Sequence, residues 1–158
     1  MLHVFANNPD GAQPIGGVSF GPNNSGLYGT TLSGGSQSLG TVFQLTPPAQ
    51  KGGSWTDTVL FSSASAPNAA VVFDKLGNLY STNFNGGGRA FGGVFELSPP
   101  VQQGGAWTYS LLAEFDEPWS GHSTSGVILN KLENTLYGAH AGTPGRPDNG
   151  IVYKISLP

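Results

Sequence analysis

The sequence contains no cysteine, which excludes disulfide frameworks, thiolate zinc centres and cysteine nucleophiles. Charge is scarce too, since Asp, Glu, Lys and Arg make up 9% of the chain. With 25 glycines in 158 residues, so little charge excludes a coiled coil, a helical bundle or a charged disordered tail. Nine acids against six bases leave a formal charge of -3, which argues against an electrostatic nucleic-acid partner. No apolar run approaches the roughly 18 residues of a membrane-spanning helix, so no membrane insertion is expected. Helical periodicity is never sustained over three turns. What is present is short apolar and aromatic runs between Gly, Pro, Asn and Ser, the pattern of an all-β, turn-rich chain.

Those runs repeat. Gly40-Thr41-Val42-Phe43-Gln44-Leu45 returns as Gly92-Gly93-Val94-Phe95-Glu96-Leu97 and again as Gly150-Ile151-Val152-Tyr153-Lys154-Ile155. Leu27-Tyr28-Gly29, Leu79-Tyr80-Ser81 and Leu136-Tyr137-Gly138 keep similar spacing, as do Gly52-Gly53-Ser54-Trp55 and Gly104-Gly105-Ala106-Trp107. A short apolar start, at Val18, Val71 and Val127, precedes each. In the first unit this predicts four strands, A to D, over 17–20, 26–31, 40–46 and 55–62. Four strands in a unit of about 50 residues is the pattern of a β-propeller blade. Strand alternation puts Phe43 and Leu45 on one face and Val42 and Gln44 on the other.

The chain opens with Leu2-His3-Val4-Phe5, which reads as a D strand, aligned with Val59-Leu60-Phe61 and with Leu112-Ala113-Glu114-Phe115. The order is therefore D, ABCD, ABCD, ABC: three four-stranded blades, one of them split between the two ends. Units run approximately over 17–69, 70–125 and 126–158 plus 1–16, all within one half-ring domain covering 1–158. Closed propellers usually have four to eight blades. Head-to-tail pairing of two copies would deliver the opening strand to the closing sheet and give a six-bladed homodimer. A chain that is a piece of a longer propeller is the alternative, and a nine-bladed trimer a remoter one.

These units resemble the GloVer-type tandem repeat of bacterial surface or secreted proteins. The likeness rests on Ser25-Gly26-Leu27-Tyr28-Gly29-Thr30-Thr31, Ser33-Gly34-Gly35 and Gly40-Thr41-Val42-Phe43, with Gly77-Asn78-Leu79-Tyr80-Ser81-Thr82 differing by one change. The third unit departs further, with Thr135 before Leu136-Tyr137-Gly138 and prolines at 144 and 147. The resemblance implies a fold and a secreted or surface setting but no activity. Met1-Leu2-His3 does not read as a basic segment followed by an apolar one, so no export signal is expected in this stretch and the compartment stays unassigned.

Propeller loops on the D-to-A and B-to-C face commonly carry function. Here they span 6–16, 32–39, 63–69, 83–91, 116–125 and 140–149 and hold Asn7, Asn8, Asp10, Asn83, Asn85, Arg89, Asp116, Glu117, Trp119, His122, His140, Arg146 and Asp148. Trp119, His122, His140, Arg89, Arg146, Asn83, Asn85 and Asp148 are the candidate ligand-binding groups. Lys51, Asp74, Lys75, Lys131 and Glu133 stand at turn tips on the opposite face. Tyr28, Tyr80 and Tyr137 recur at one place and are read as packing residues, as are Trp55 and Trp107; Glu96, opposite Gln44 and Lys154, is read as surface.

Glu114, Asp116 and Glu117 are the candidate catalytic groups. Paired carboxylates can cleave a glycosidic bond, one protonating the leaving oxygen and one serving as nucleophile or base, and Trp119 could stack on a sugar. The competing reading is an Asp-Glu-Pro turn in water. His122 and His140, with Asp116 or Asp148, lack close ligand spacing, so no metal and no cofactor is expected. Residues 7–11 lack the alternating acids of a calcium loop, and Gly86-Gly87-Gly88-Arg89 is not followed by a helix. A non-catalytic binding or assembly module, for carbohydrate or another small polar ligand at the channel face, is the favoured function. A glycoside hydrolase is the alternative.

Overall fold

The computed structural model describes residues 1–85, 92–102, 104–115, 125–141 and 150–157. The chain is all-β, with three antiparallel sheets and no α-helix among the described residues. The first sheet holds β1 (Val18–Phe20), β2 (Leu27–Thr31), β3 (Thr41–Thr46) and β4 (Thr56–Ser62), paired in chain order. The second repeats it with β5 (Val72–Phe73), β6 (Leu79–Asn83), β7 (Gly93–Ser98) and β8 (Thr108–Glu114). The third has three strands, β9 (Val127–Leu129), β10 (Thr135–Ala141) and β11 (Gly150–Ser156). Strand ends in the first unit fall within one residue of the sequence expectation, because Gly and Pro punctuate the apolar runs there.

Leu2–Phe5, expected as a strand, is paired to no strand among the described residues. Its alignment also changes. Ser63 N–H donates to Gly40 O at 2.8 Å and Phe115 N–H to Gly92 O at 3.1 Å. Ser63, not Phe61, therefore stands where Phe115 stands, and Phe61 stands with Ala113, opposite Val42 and Val94 respectively. The offset that carries Val42 to Val94 and Trp55 to Trp107 carries Phe61 to Ala113 as well, and both sheets share one irregularity in pairing, between Val42 and Phe43 and between Val94 and Phe95. A bulge inserts one unpaired residue and re-aims the side chains beyond it.

The core lies between sheets. Tyr28 and Val42, from the first sheet's trailing face, pack with Val71, Leu79, Phe95 and Leu97 on the second sheet's leading face. Phe61 closes this contact by stacking on Tyr109 at 5.0 Å, with Phe95 5.6 Å beyond. Tyr80 and Val94 meet Val127 and Leu136 in the same manner, joined by Phe115, Tyr153 and Ile155. Each sheet thus buries both faces only where it has a neighbour on both sides. The glycine of the Leu-Tyr-Gly marker serves this packing. A Cβ at Gly29 would strike the Phe43 ring and one at Gly138 the Tyr153 ring, so the small residue lets the strand C aromatic lie across strand B.

Candidate functional site

Of the candidate residues, Asp116, Glu117, Trp119, His122, Arg89, Arg146 and Asp148 lie outside the described residues. Glu114 is exposed at the end of β8, paired across to Gly93. Asn85 is half-buried in a turn, its N–H donating to Ser65 O at 3.2 Å. Asn83 and His140 are not loop groups, because β6 and β10 run far enough to include them. Both are buried, and the ladders place them with Thr31 at one position of the repeat. Asn83 donates through Nδ2 to the Tyr109 hydroxyl at 3.1 Å, and the His140 ring lies 4.4 Å from that of Phe115. Asn83 thus bonds within its own sheet, whereas the His140 ring meets a side chain that follows the second sheet.

Strands β1, β5 and β9 border a cleft of about 420 Å³ lined by residues including Ser19, Asn68, Val71, Gly126 and Ile128. Among the described residues its lining has no ionisable side chain. Ser19 Oγ already donates to Val71 O at 2.6 Å. Such a cleft can hold a small molecule through backbone groups and apolar contact. Among the turn-tip charges, Asp74 does more than meet water: it accepts from Leu76 and Asn78 N–H and from the Tyr80 hydroxyl at 3.0 Å.

The two outward faces are the unusual surfaces. On the trailing side, Val42 and Val94 are 0% exposed while Val152, at the same place in the third unit, is 84% exposed. Tyr137 and Ile128 beside it are exposed as well, whereas Tyr28 and Tyr80 are buried. On the leading side, Val71 and Val127 are 1% and 3% exposed but Val18 is 53%. Phe20 stands bare where Phe73 and Leu129 are packed. Beyond β11 no further strand pairs among the described residues.

The opening segment covers part of the leading face. Phe5 meets Phe43 edge-on at 5.0 Å, as Phe115 meets Tyr153 at 5.1 Å. It therefore lies where the last strand of a preceding sheet would lie. His3 Nε2 and Asp10 Oδ2 are 3.0 Å apart, and Ala6 N–H donates to both oxygens of Asp10. Thr41 Oγ1 donates to Asp10 O at 3.0 Å and meets Thr31 Oγ1 at the same distance. Gly11, at φ 104, backs onto these threonines so closely that a Cβ would strike them, a conformation that favours glycine.

Asp57 on β4 completes this corner: one ligating atom from each of His3, Asp10 and Asp57 lies within 4.8 Å of the others. Burial works to raise the Asp10 carboxyl. Hydrogen bonds from Ala6 N–H, His3 and its own N–H, with attraction to His3, outweigh that and hold it below its ordinary value. Burial pushes the Asp57 carboxyl up and repulsion from Asp10 adds to it, while attraction to His3 and a hydrogen bond from Thr58 N–H oppose it without cancelling it. No spacing or motif in the chain marks this trio. Asp10 stands among the loop residues, but His3 and Asp57 both read as strand positions. Only the pairing of Asp57 with Leu45, whose side chain is buried, turns it toward the opening segment.

The Gloeobacter/Verrucomicrobia repeat family model matches residues 1–158. No curated protein and no solved structure matches the chain.

Proposed function

The chain belongs to the Gloeobacter/Verrucomicrobia repeat family, and from that premise we propose that it is a non-catalytic assembly and binding module. On this reading its three sheets are propeller blades, and a second copy joined head to tail closes a six-bladed ring. The observation that carries the reading is the exposure of Val152, where Val42 and Val94 are enclosed, matched by the exposure of Val18, where Val71 and Val127 are enclosed. One outward face is of the type that the other covers inside the chain. Each large apolar side chain so buried contributes about 1.5 to 3 kcal/mol, against the several kcal/mol that association costs. The open edge of β11 is a second liability that a partner strand removes.

The occupant on this reading is a second copy, because the opening segment is of the type that the three-stranded sheet would accept. Among the described residues that segment pairs with no strand, and β11 has a free edge. Phe5 takes the place of Phe115, so Val4 takes that of Glu114, which pairs with Gly93. Ile151 holds the Gly93 place in the third unit, since His140 and Asn83 share one position. Val4 of one copy should therefore face Ile151 of the other.

The absence of cysteine gives a clean test. Val4→Cys with Ile151→Cys should form a disulfide between copies under mild oxidation, and native mass spectrometry of the parent should give a dimer. Monomer at tens of micromolar with no cross-link would sink the ring. The ligand class that fits is a carbohydrate or another small polar molecule at the central cleft; a glycan panel read by thermal shift tests that part. Cleavage needs two carboxylates flanking one bond. Glu114, the one described member of the acidic trio, is exposed on an outer strand, so nothing in its placement favours the hydrolase.

A further inference from the structure

We propose that His3, Asp10 and Asp57 form a binding site for a divalent cation of the zinc class, which fastens the opening segment to the first sheet. The three side chains come from separate parts of the fold: the opening segment, the loop after it, and β4. Their ligating atoms converge within 4.8 Å, with His3 Nε2 and Asp10 Oδ2 at 3.0 Å. Ligands about 2.1 Å from a tetrahedral zinc stand roughly 3.4 Å from each other, so the trio needs only small side-chain adjustments to close on one ion. An imidazole with two carboxylates suits zinc or manganese, and the remaining coordination positions would go to water.

The repeat shows how unusual the corner is. Between the first and second sheets the corresponding contact is Phe61 stacked on Tyr109 at 5.0 Å. Asp57 takes the place of Tyr109, since they pair with Leu45 and Leu97. His3 takes the place of Phe61, because Phe5 matches Phe115 and Phe61 matches Ala113. An aromatic stack has thus been exchanged for an imidazole and a carboxylate at a joint between layers, where a carboxylate has nothing to gain from packing. Asp57 Oδ1 is enclosed and has no hydrogen-bond partner among the described residues, a condition that buried polar atoms rarely keep. Asp10 is itself buried, and two carboxylates side by side leave a charge that one divalent ion balances.

The site needs a single chain, so it stands or falls apart from ring closure. The test uses the full, untagged chain stripped with a chelator and titrated with zinc against a chromophoric competitor. The parent should take up one zinc per chain and melt at a higher temperature with zinc than without. His3→Ala and Asp57→Asn should each weaken uptake at least about tenfold, since losing even an outer partner of a ligand costs 10–100-fold. Glu133→Gln, at a turn tip away from the trio, should leave uptake unchanged. Asp57→Asn keeps the side-chain shape, and its circular dichroism should match the parent. No uptake by the folded parent, or equal uptake by both variants, would overturn the site. A monomer that binds zinc through these residues would sink the ring and leave the site intact, and a dimer without zinc would do the reverse.

Discussion

Val94 and Val152 occupy the same place on the same strand of consecutive units, yet one is sealed between sheets and the other is 84% exposed. Phe73 and Phe20 differ in the same sense at the opposite faces. Residue type does not explain the contrast, because a valine is a valine in both units. Presence of a neighbour does. The two inner joints are built from aromatic and aliphatic side chains that recur with the repeat, and the outer faces keep the same side chains, with only the opening segment, among the described residues, over part of the leading one. Such a face is stable in solution only if it is covered or small.

The contrast between inner joints and outer faces can be broken at several strengths. Phe95→Ala, at an inner joint, should cost about 3–5 kcal/mol in a denaturant melt; a loss under about 1 kcal/mol would mean that the sheets do not pack as described. Val152→Asp, on an outer face, should leave that melt nearly unchanged while weakening dimerisation at least a hundredfold, about 2.7 kcal/mol, as read by sedimentation. Equal damage to folding from both would erase the distinction. Thr31→Val removes a hydroxyl that accepts from Thr41 N–H at 2.9 Å in a buried corner, and about 1–3 kcal/mol should go with it.

Alkaline pH probes the inner joints. Burial pushes the Tyr153 hydroxyl up from 10.0 to about 12, and it raises Tyr80 and Tyr109 as well, the Tyr80 bond to Asp74 adding to burial. A tyrosine with a raised folded value binds its proton more tightly in the native state. Its contribution is complete below pH 10 and falls away as pH rises toward 12. Stability should therefore decline across that window, and Tyr153→Phe should flatten part of the decline in a pH series of melts. The smallest effect belongs to Lys75 and Glu133, an ion pair at 3.4 Å whose lysine is largely exposed. Lys75→Ala should change stability by less than about 1 kcal/mol, and a larger loss would show that turn tips contribute to the second joint.

Much of the fold is legible because its signals are local. Gly, Pro and Asn mark reversals, and bulky residues at alternate positions mark faces, so strands β1 to β4 and the shared roles of Phe43, Phe95 and Tyr153 come directly from the repeat. The Leu-Tyr marker puts Thr31, Asn83 and His140 at one place of the repeat, but that all three are buried is less accessible, since they share no chemistry. The alignment of Phe61 with Phe115 fails for another reason. It matches one phenylalanine to another against the offset that carries Trp55 to Trp107, which carries Phe61 to Ala113, while the break in register beside Val42 and Val94 is common to both units.

An all-β chain, three similar units and packing residues that are aromatic and aliphatic were all set by the order of amino acids. These rest on short-range preferences that each segment expresses for itself. Which faces are covered, and that His3, Asp10 and Asp57 meet, was settled only once the chain had folded. Both depend on where distant segments come to rest against each other, and a bulge or a bent loop moves that by more than any local pattern can report.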